Sequence, residues 1–263
     1  MQPAILVHGH RGARALRPEN TLPAFEYAIS VGADYLEMDV VVTLDDVVVV
    51  SHDAQLNRRI CTSPGGSRTI RELTFAELGS WDCGTRRHPL YRRQVPAPGA
   101  GIPSLDQVLG LARRGCFGFN IEVKSYPDHP ELTPPPTRFA ELVLHTIRRH
   151  NLEDRVMVQS FDFRVLQALA RLAPELRLAA LYAGKPKSFG VIAREAGTRV
   201  VAPHHRLVTR RNVHSAHASG LEVIPWTANT RWAWKRLIAA HVDGIITDDP
   251  EGLIRYLAKH SLR

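Results

Sequence analysis

Apolar, β-branched runs alternate with amphipathic stretches along almost the whole chain, and this alternation constrains the fold more than any other feature. Extended runs fall at 4–9 (AILVHG), 34–42 (DYLEMDVVV), 117–124 (FGFNIEVK), 155–160 (RVMVQS), 176–182 (LRLAALY), 199–203 (RVVAP), 221–226 (LEVIPW) and 243–248 (DGIITD). Helical patterns lie between them at 21–31, 104–113, 138–149, 164–172, 189–196, 210–219 and 231–241, and a last one opens at Pro250. The first helix shows the expected period through Leu22, Phe25, Ala28 and Ile29, with Thr21 and Pro23 marking its start. Strands alternating with helices build a parallel sheet. Eight strand–helix units in a row are more than open doubly wound sheets usually hold, so the pattern predicts a closed (β/α)8 TIM barrel. No repeat recurs at a fixed period, which excludes a solenoid.

The rhythm breaks once. A second extended run, 46–53, follows the second strand, and residues 54–103 then carry TSPGGS, ELTFAELGSWDCG and the proline-rich QVPAPGAGIP. This stretch reads as a small insertion subdomain with a short helix and little strand, set within a single catalytic domain that spans 1–263. The loop SYPDHPELTPPPT after Lys124 is long enough to be either a lid or a disordered segment. Hydrophobic content of 44% and charged content of 23% are those of an ordinary globular protein. The start MQPAILVHGH lacks a basic leader and a cleavage site, and no apolar stretch is long enough to span a membrane, so a cytoplasmic protein is expected.

The net charge of +8 comes mostly from arginine pairs beginning at Arg58, Arg86, Arg92, Arg113, Arg148 and Arg210. They are scattered and not interleaved with aromatics, which predicts a solvated surface and no nucleic-acid partner. Cys61, Cys83 and Cys116 are unevenly spaced without a CxxC, so reduced thiols are expected, with a Cys61–Cys83 pair as the alternative.

In a barrel of this kind the site lies at the carboxyl ends of the strands. His10 and Arg11 end the first strand, and His52 ends the run after the second. Glu37 and Asp39 are two apart and share a strand face, as do Glu122 and Lys124 on the next barrel strand. Gln159 and Ser160, Trp226 and Asp248 end later strands. Carboxylates that converge in a barrel need a partner. Glu37, Asp39 and Glu122 suit one hard divalent cation, Mg²⁺ or Ca²⁺; the competing reading is a closed ion-pair network with Arg11 and Lys124. A cation beside an arginine and a lysine makes a phosphate pocket, in which His10 and His52 can serve as general base and acid. His8, within the first strand, reads as a hydrogen-bonded core histidine. Trp226 is either a platform for an apolar or glycerol-like group or plain core packing. Asp248 and Asp249 precede Pro250 and are expected to cap a helix. Glu19 and Asn20 are expected to brace the loop after His10, and His204 and His205 receive no role.

These residues carry a family resemblance. HRGARALRPENTLPAF (10–25), GADYLEMDVVVTLDDVVVVSHD (32–53), IPSLDQVL (102–109), NIEVK (120–124), SFD (160–162), PWTAN (225–229) and DGIITDDP (243–250) occur in order and resemble the glycerophosphodiester phosphodiesterase family. The resemblance implies the barrel with its insertion and a divalent cation held by Glu37, Asp39 and Glu122. It further implies His10 and His52 as the acid–base pair, with Arg11 and Lys124 on the phosphate. The implied reaction is hydrolysis of a glycerophosphodiester to an alcohol and sn-glycerol 3-phosphate, the glycerol 2-hydroxyl attacking first. Asp46 departs from the family, standing where glycine is frequent, and the loop before Ile102 lacks an acidic residue often found there; both leave the core chemistry intact and leave the alcohol open. The nearest alternative is a related phosphodiesterase acting on lysophospholipids or phosphoinositides. A non-catalytic phosphate- or nucleic-acid-binding barrel would leave the carboxylate triad unexplained.

Overall fold

The computed structural model describes residues 4–62, 65 and 68–263; the readings that fall on residues 1–3 and on most of TSPGGS lie outside them. The strands are β1 (Leu6–Gly9), β2 (Tyr35–Val42), β3 (Val48–Val50), β4 (Gly118–Val123), β5 (Val156–Ser160), β6 (Arg177–Tyr182), β7 (Val200–Pro203), β8 (Glu222–Val223) and β9 (Gly244–Thr247). The helices are α1 (Leu22–Ser30), α2 (Phe75–Leu78), α3 (Leu105–Leu109), α4 (Pro136–Arg149), α5 (Phe163–Leu172), α6 (Phe189–Ala196), α7 (Arg210–Ala218), α8 (Arg231–Ala239) and α9 (Pro250–Lys259). The parallel order β8-β7-β6-β5-β4-β2-β1-β9 makes the expected barrel, with β3 antiparallel on β2. Single hydrogen bonds bridge its ends: Asp243 N donates to Val223 O and Ile246 N to Pro225 O, both at 3.0 Å. Pro225 explains why β8 is shorter than the extended run 221–226. It has no N–H to give to β9, so the ladder breaks there.

The main core lies between strands and helices. Phe25, Leu36, Leu105, Phe119, Phe139, Ile147 and Leu166 are all fully buried in it. A smaller cluster, Met157, Ala179, Val200, Ile224 and Ile246, fills part of the barrel interior. The rest of that interior is polar, and strand register decides which polar groups meet. Glu37 lies beside Asn120 and Asp39 beside Glu122 on β2 and β4, and Glu122 beside Gln159 on β4 and β5. His8 is in the core as expected, stacked on Tyr35 with ring centroids 4.5 Å apart. Burial lowers its pKa to about 3, so it is neutral.

The insertion has its own apolar centre of Leu56, Cys61, Ile70, Leu78, Trp81 and Cys83, closed against Val41 and Val49 of the β2–β3 ribbon. The expectation of reduced thiols is corrected for two of the three cysteines: Cys61 and Cys83 form a disulfide, and Cys116 is free. Two segments of the insertion run antiparallel past each other at the isolated Thr62–Asp82 bridge, which brings the two sulfurs together. The 125–137 loop contains the 3₁₀ turn Pro130–Leu132, and Tyr126 donates its hydroxyl to the His52 carbonyl at 3.2 Å. Asp46 takes φ 58°, the conformation that makes glycine frequent there, and Arg71 and Arg138 pair with its carboxylate. No helix among the described residues is long and apolar enough to cross a membrane.

Candidate active site

The site begins with a tight turn. His10 N donates to Thr247 O at 2.8 Å, after which Arg11 (φ 50°) and Gly12 (φ 84°) are both left-handed. A Cβ on Gly12 would sit 2.6 Å from the Ala24 backbone, so only glycine fits. The turn points Arg11 back over the barrel. Its N–H donates to Glu37 Oε2 at 2.8 Å, its Nε lies 3.1 Å from Asp39 Oδ2, and its Nη1 donates to Glu19 Oε1 at 2.7 Å. Glu19 also accepts from Arg14, so it braces the turn as expected. Asn20, also left-handed at φ 56°, does more: its Nδ2 donates to Asp39 Oδ2 at 3.0 Å.

Glu37, Asp39 and Glu122 converge as expected, each buried and each offering an oxygen within 4.8 Å of the others. The competing ion-pair network is present but incomplete. Lys124 Nζ lies 2.6 Å from Glu122 Oε1 and 3.1 Å from Asp39 Oδ1, and Arg11 is shared with Glu19. Burial works to raise the pKa of Asp39, but Lys124, Arg11, His52 and His10 hold it well below the usual range. Burial raises that of Glu37 well above its ordinary value, and repulsion from Asp39 and Glu122 adds to it. Glu122 is raised as well, chiefly by burial. Three oxygen donors, two of them reluctant to ionise without a further positive charge, are a donor set that fits a hard cation.

Each histidine is oriented by a carboxylate. His10 Nδ1 meets Asp248 Oδ1 at 2.5 Å, and His52 Nδ1 meets Asp53 Oδ1 at 2.6 Å. In both, Nε2 is left as the nitrogen open to the pocket. The expectation for Asp248 is therefore corrected. Only Asp249 caps α9, accepting from Gly252 N at 2.8 Å, whereas Asp248 turns inward and accepts from Tyr91 and from Asn229 Nδ2, both at 2.6 Å. The consecutive aspartates look alike in sequence, and only the break at the end of β9 sends one each way. Asp53, Tyr91, Asn229 and Gln159 also went unassigned. Gln159 Nε2 donates to Glu37 Oε1 at 3.1 Å, and its own Oε1 is buried with no partner among the described residues. Asp53 had a readable signal, its place directly after His52; Tyr91 had none.

The pocket above these groups has a volume of about 310 Å³ and is lined by His10, Arg11, Glu37, His52, Glu122, Lys124 and, on the far wall, Phe161, Leu181 and Trp226. Trp226 both packs and lines the pocket. Its Nε1 donates to Ala202 O at 2.8 Å, while its ring lines the pocket with Phe161 packed edge-on at 5.5 Å.

Fold and site together define a TIM-barrel protein with an acidic, histidine-flanked pocket at the carboxyl mouth of the barrel. The chain belongs to the glycerophosphoryl diester phosphodiesterase family, whose model matches residues 10–252. A glycerophosphodiester phosphodiesterase of Caldanaerobacter subterraneus subsp. tengcongensis is 31% identical over 258 residues, covering 97% of this chain and 98% of the relative. A Silicibacter pomeroyi crystal structure assigned to the same class superposes with a TM-score of 0.91 at 31% identity, covering 98% of this chain and 95% of the other. An Oleispira antarctica phosphodiesterase solved with sn-glycerol-3-phosphate shares the fold, with a TM-score of 0.83 at 21% identity and 97% coverage of each chain.

Proposed function

We propose that the protein hydrolyses glycerophosphodiesters to an alcohol and sn-glycerol 3-phosphate. The observation that carries this reading is the buried triad Glu37, Asp39 and Glu122, set beside Arg11 and Lys124 and flanked by His10 and His52. A divalent cation held by the triad, Mg²⁺ or Ca²⁺, would polarise a phosphoryl oxygen. Arg11 and Lys124 offset charge that builds on the phosphorane oxygens. Burial lowers the pKa of His10 against the pull of Asp248, which favours its neutral, proton-accepting form. His10 takes the proton of the glycerol 2-hydroxyl as that oxygen attacks phosphorus, and His52 gives a proton to the departing alcohol oxygen. In the second step His52 takes a proton from water as it opens the cyclic phosphate, and His10 returns its proton to the 2-oxygen. The proton count closes over the two steps. An internal nucleophile is positioned by the substrate itself, which lowers the entropic cost of the first step. Trp226 faces the glycerol, and residues 54–103 form part of the same catalytic domain.

The test is release of sn-glycerol 3-phosphate from glycerophosphocholine and glycerophosphoethanolamine by chelator-stripped protein given Mg²⁺ or Ca²⁺. Metal-restored release supports the reading; a folded, metal-loaded protein that releases none overturns it. One observation favours a second substrate class. Phe161 is 47% exposed at the pocket edge, an apolar surface that suits an acyl chain, so lysophosphatidylcholine belongs in the same assay.

A further inference from the structure

The stretch from His88 to Val95 folds back from the insertion and docks on the turn after β1. Gln94 is buried; its Nε2 donates to Arg14 O at 2.8 Å and to Arg17 O at 3.0 Å, and its Oε1 accepts from His88 N at 2.7 Å. Val95 N donates to Leu16 O at 3.0 Å. Arg14 seals the seam, with its guanidinium 5.3 Å from the Tyr91 ring centroid and its Nη2 3.2 Å from His88 Nε2. The result is one defined place for the Tyr91 hydroxyl, 2.6 Å from Asp248 Oδ2.

Asp248 is 2% exposed, and its two oxygens have different partners. Oδ1 faces His10 Nδ1, whereas Oδ2 accepts from Tyr91 and from Asn229. Asn229 also accepts from Asp248 N at 2.9 Å, so it ties the carboxylate to its own backbone. Among the described residues, Tyr91 is the one partner that reaches Asp248 from the insertion. A carboxylate turns about its last bond over a broad, two-fold profile, and a partner held on one oxygen narrows the direction in which the other faces.

We propose that Tyr91 is a positioning residue: by holding Asp248 Oδ2 it keeps Oδ1 on His10 Nδ1, and so keeps the His10 ring turned with Nε2 into the pocket. The insertion is then a working part of the acid–base machinery and more than a wall of the pocket. The kinetic consequence rests on the phosphodiesterase reading above; the hydrogen-bond relay rests on geometry alone.

Tyr91→Phe removes the hydroxyl and keeps the ring against Arg14. With glycerophosphocholine and Mg²⁺, its kcat is expected to fall about tenfold with KM changed less than about twofold, the scale of losing an outer partner of a catalytic group. Asp248→Asn is expected to lower kcat by roughly 100-fold or more, since it disturbs the tautomer of His10 directly. Adding Tyr91→Phe to Asp248→Asn should cost nothing further, because both act through one relay. Unchanged kcat in Tyr91→Phe, or losses that multiply in the double variant, would overturn the proposal. NMR of ¹⁵N-histidine-labelled protein reads the relay without turnover. The His10 Nδ1 proton should be hydrogen-bonded in the parent, and its resonance should move in Tyr91→Phe. Should that variant fold poorly, replacing tyrosine by 3-fluorotyrosine sharpens the phenol as a donor and should move the resonance the opposite way. A resonance that moves in neither case overturns the relay. A resonance that moves in a protein with no glycerophosphodiester turnover upholds the relay and overturns the functional reading instead.

Discussion

Glu37 stands in the barrel mouth with His10 Nε2, at 3.9 Å, as the one basic side-chain nitrogen within 4 Å of its carboxylate among the described residues. Its raised pKa has a definite consequence. A carboxyl raised on folding binds its proton more tightly in the folded than in the unfolded chain. Its stabilising contribution is therefore present at low pH and is lost as pH rises from about 4.3 through the raised folded value. Glu122 has the same sign. Asp39, held low, has the opposite one: its contribution is present above about 3.9 and is lost as pH falls through the folded value. In metal-free protein the Glu37 contribution should thus be lost as pH rises from about 4.3, set against the opposite contribution of His8, His10 and His205, which burial holds below their ordinary range. Glu37→Gln should remove that contribution, so the difference in urea midpoint between parent and variant should change across this range. In turnover assays Glu122→Gln should abolish metal-restored activity with the fold intact. His52→Ala should lower kcat by about 100- to 10,000-fold, the usual scale for a lost general acid or base. A Glu122→Gln enzyme with full activity would remove the triad from the metal site.

The insertion is the element whose internal order matters most to the site. Its disulfide joins residues 22 apart in sequence, a loop whose closure is worth about 3 kcal/mol in the chain-entropy account. Cys61→Ser should lower stability by about that amount, read as a shift in denaturant midpoint. Thiol titration of denatured, unreduced protein should count one thiol, Cys116; a count of three would show the pair reduced. The same count in cell extracts bears on the expected cytoplasmic location, since reducing compartments keep such pairs open. At the clamp, Gln94→Ala removes two hydrogen bonds to backbone carbonyls of the turn after β1. Limited proteolysis should then cut within 86–99 faster than in the parent, and unchanged cleavage would show that the clamp is held elsewhere.

A cation that binds the folded barrel and not the unfolded chain stabilises the whole molecule by mass action. At about 100 times its Kd the gain is about 2.7 kcal/mol, several degrees in Tm for a domain of this size, reversed by chelator. A Tm indifferent to Mg²⁺ and Ca²⁺ would count against the triad as a metal site. At this scale the sequence was most legible. Eight extended runs and the helices between them were readable from period alone, because a strand or helix buried on one face must repeat its apolar residues at the period of its own geometry. Chain spacing likewise put Glu37 with Asp39 and Glu122 with Lys124, since residues two apart on a strand share a face. Contacts between distant segments have no period and leave no such trace. The β2–β4 register that sets Asp39 beside Glu122, the inward turn of Asp248 where Asp249 stays to cap α9, the Cys61–Cys83 bond and the arrival of Tyr91 are all of this kind. The sequence by itself determined the barrel and the kinds of group at its mouth, and the tertiary structure alone decided which of those groups touch.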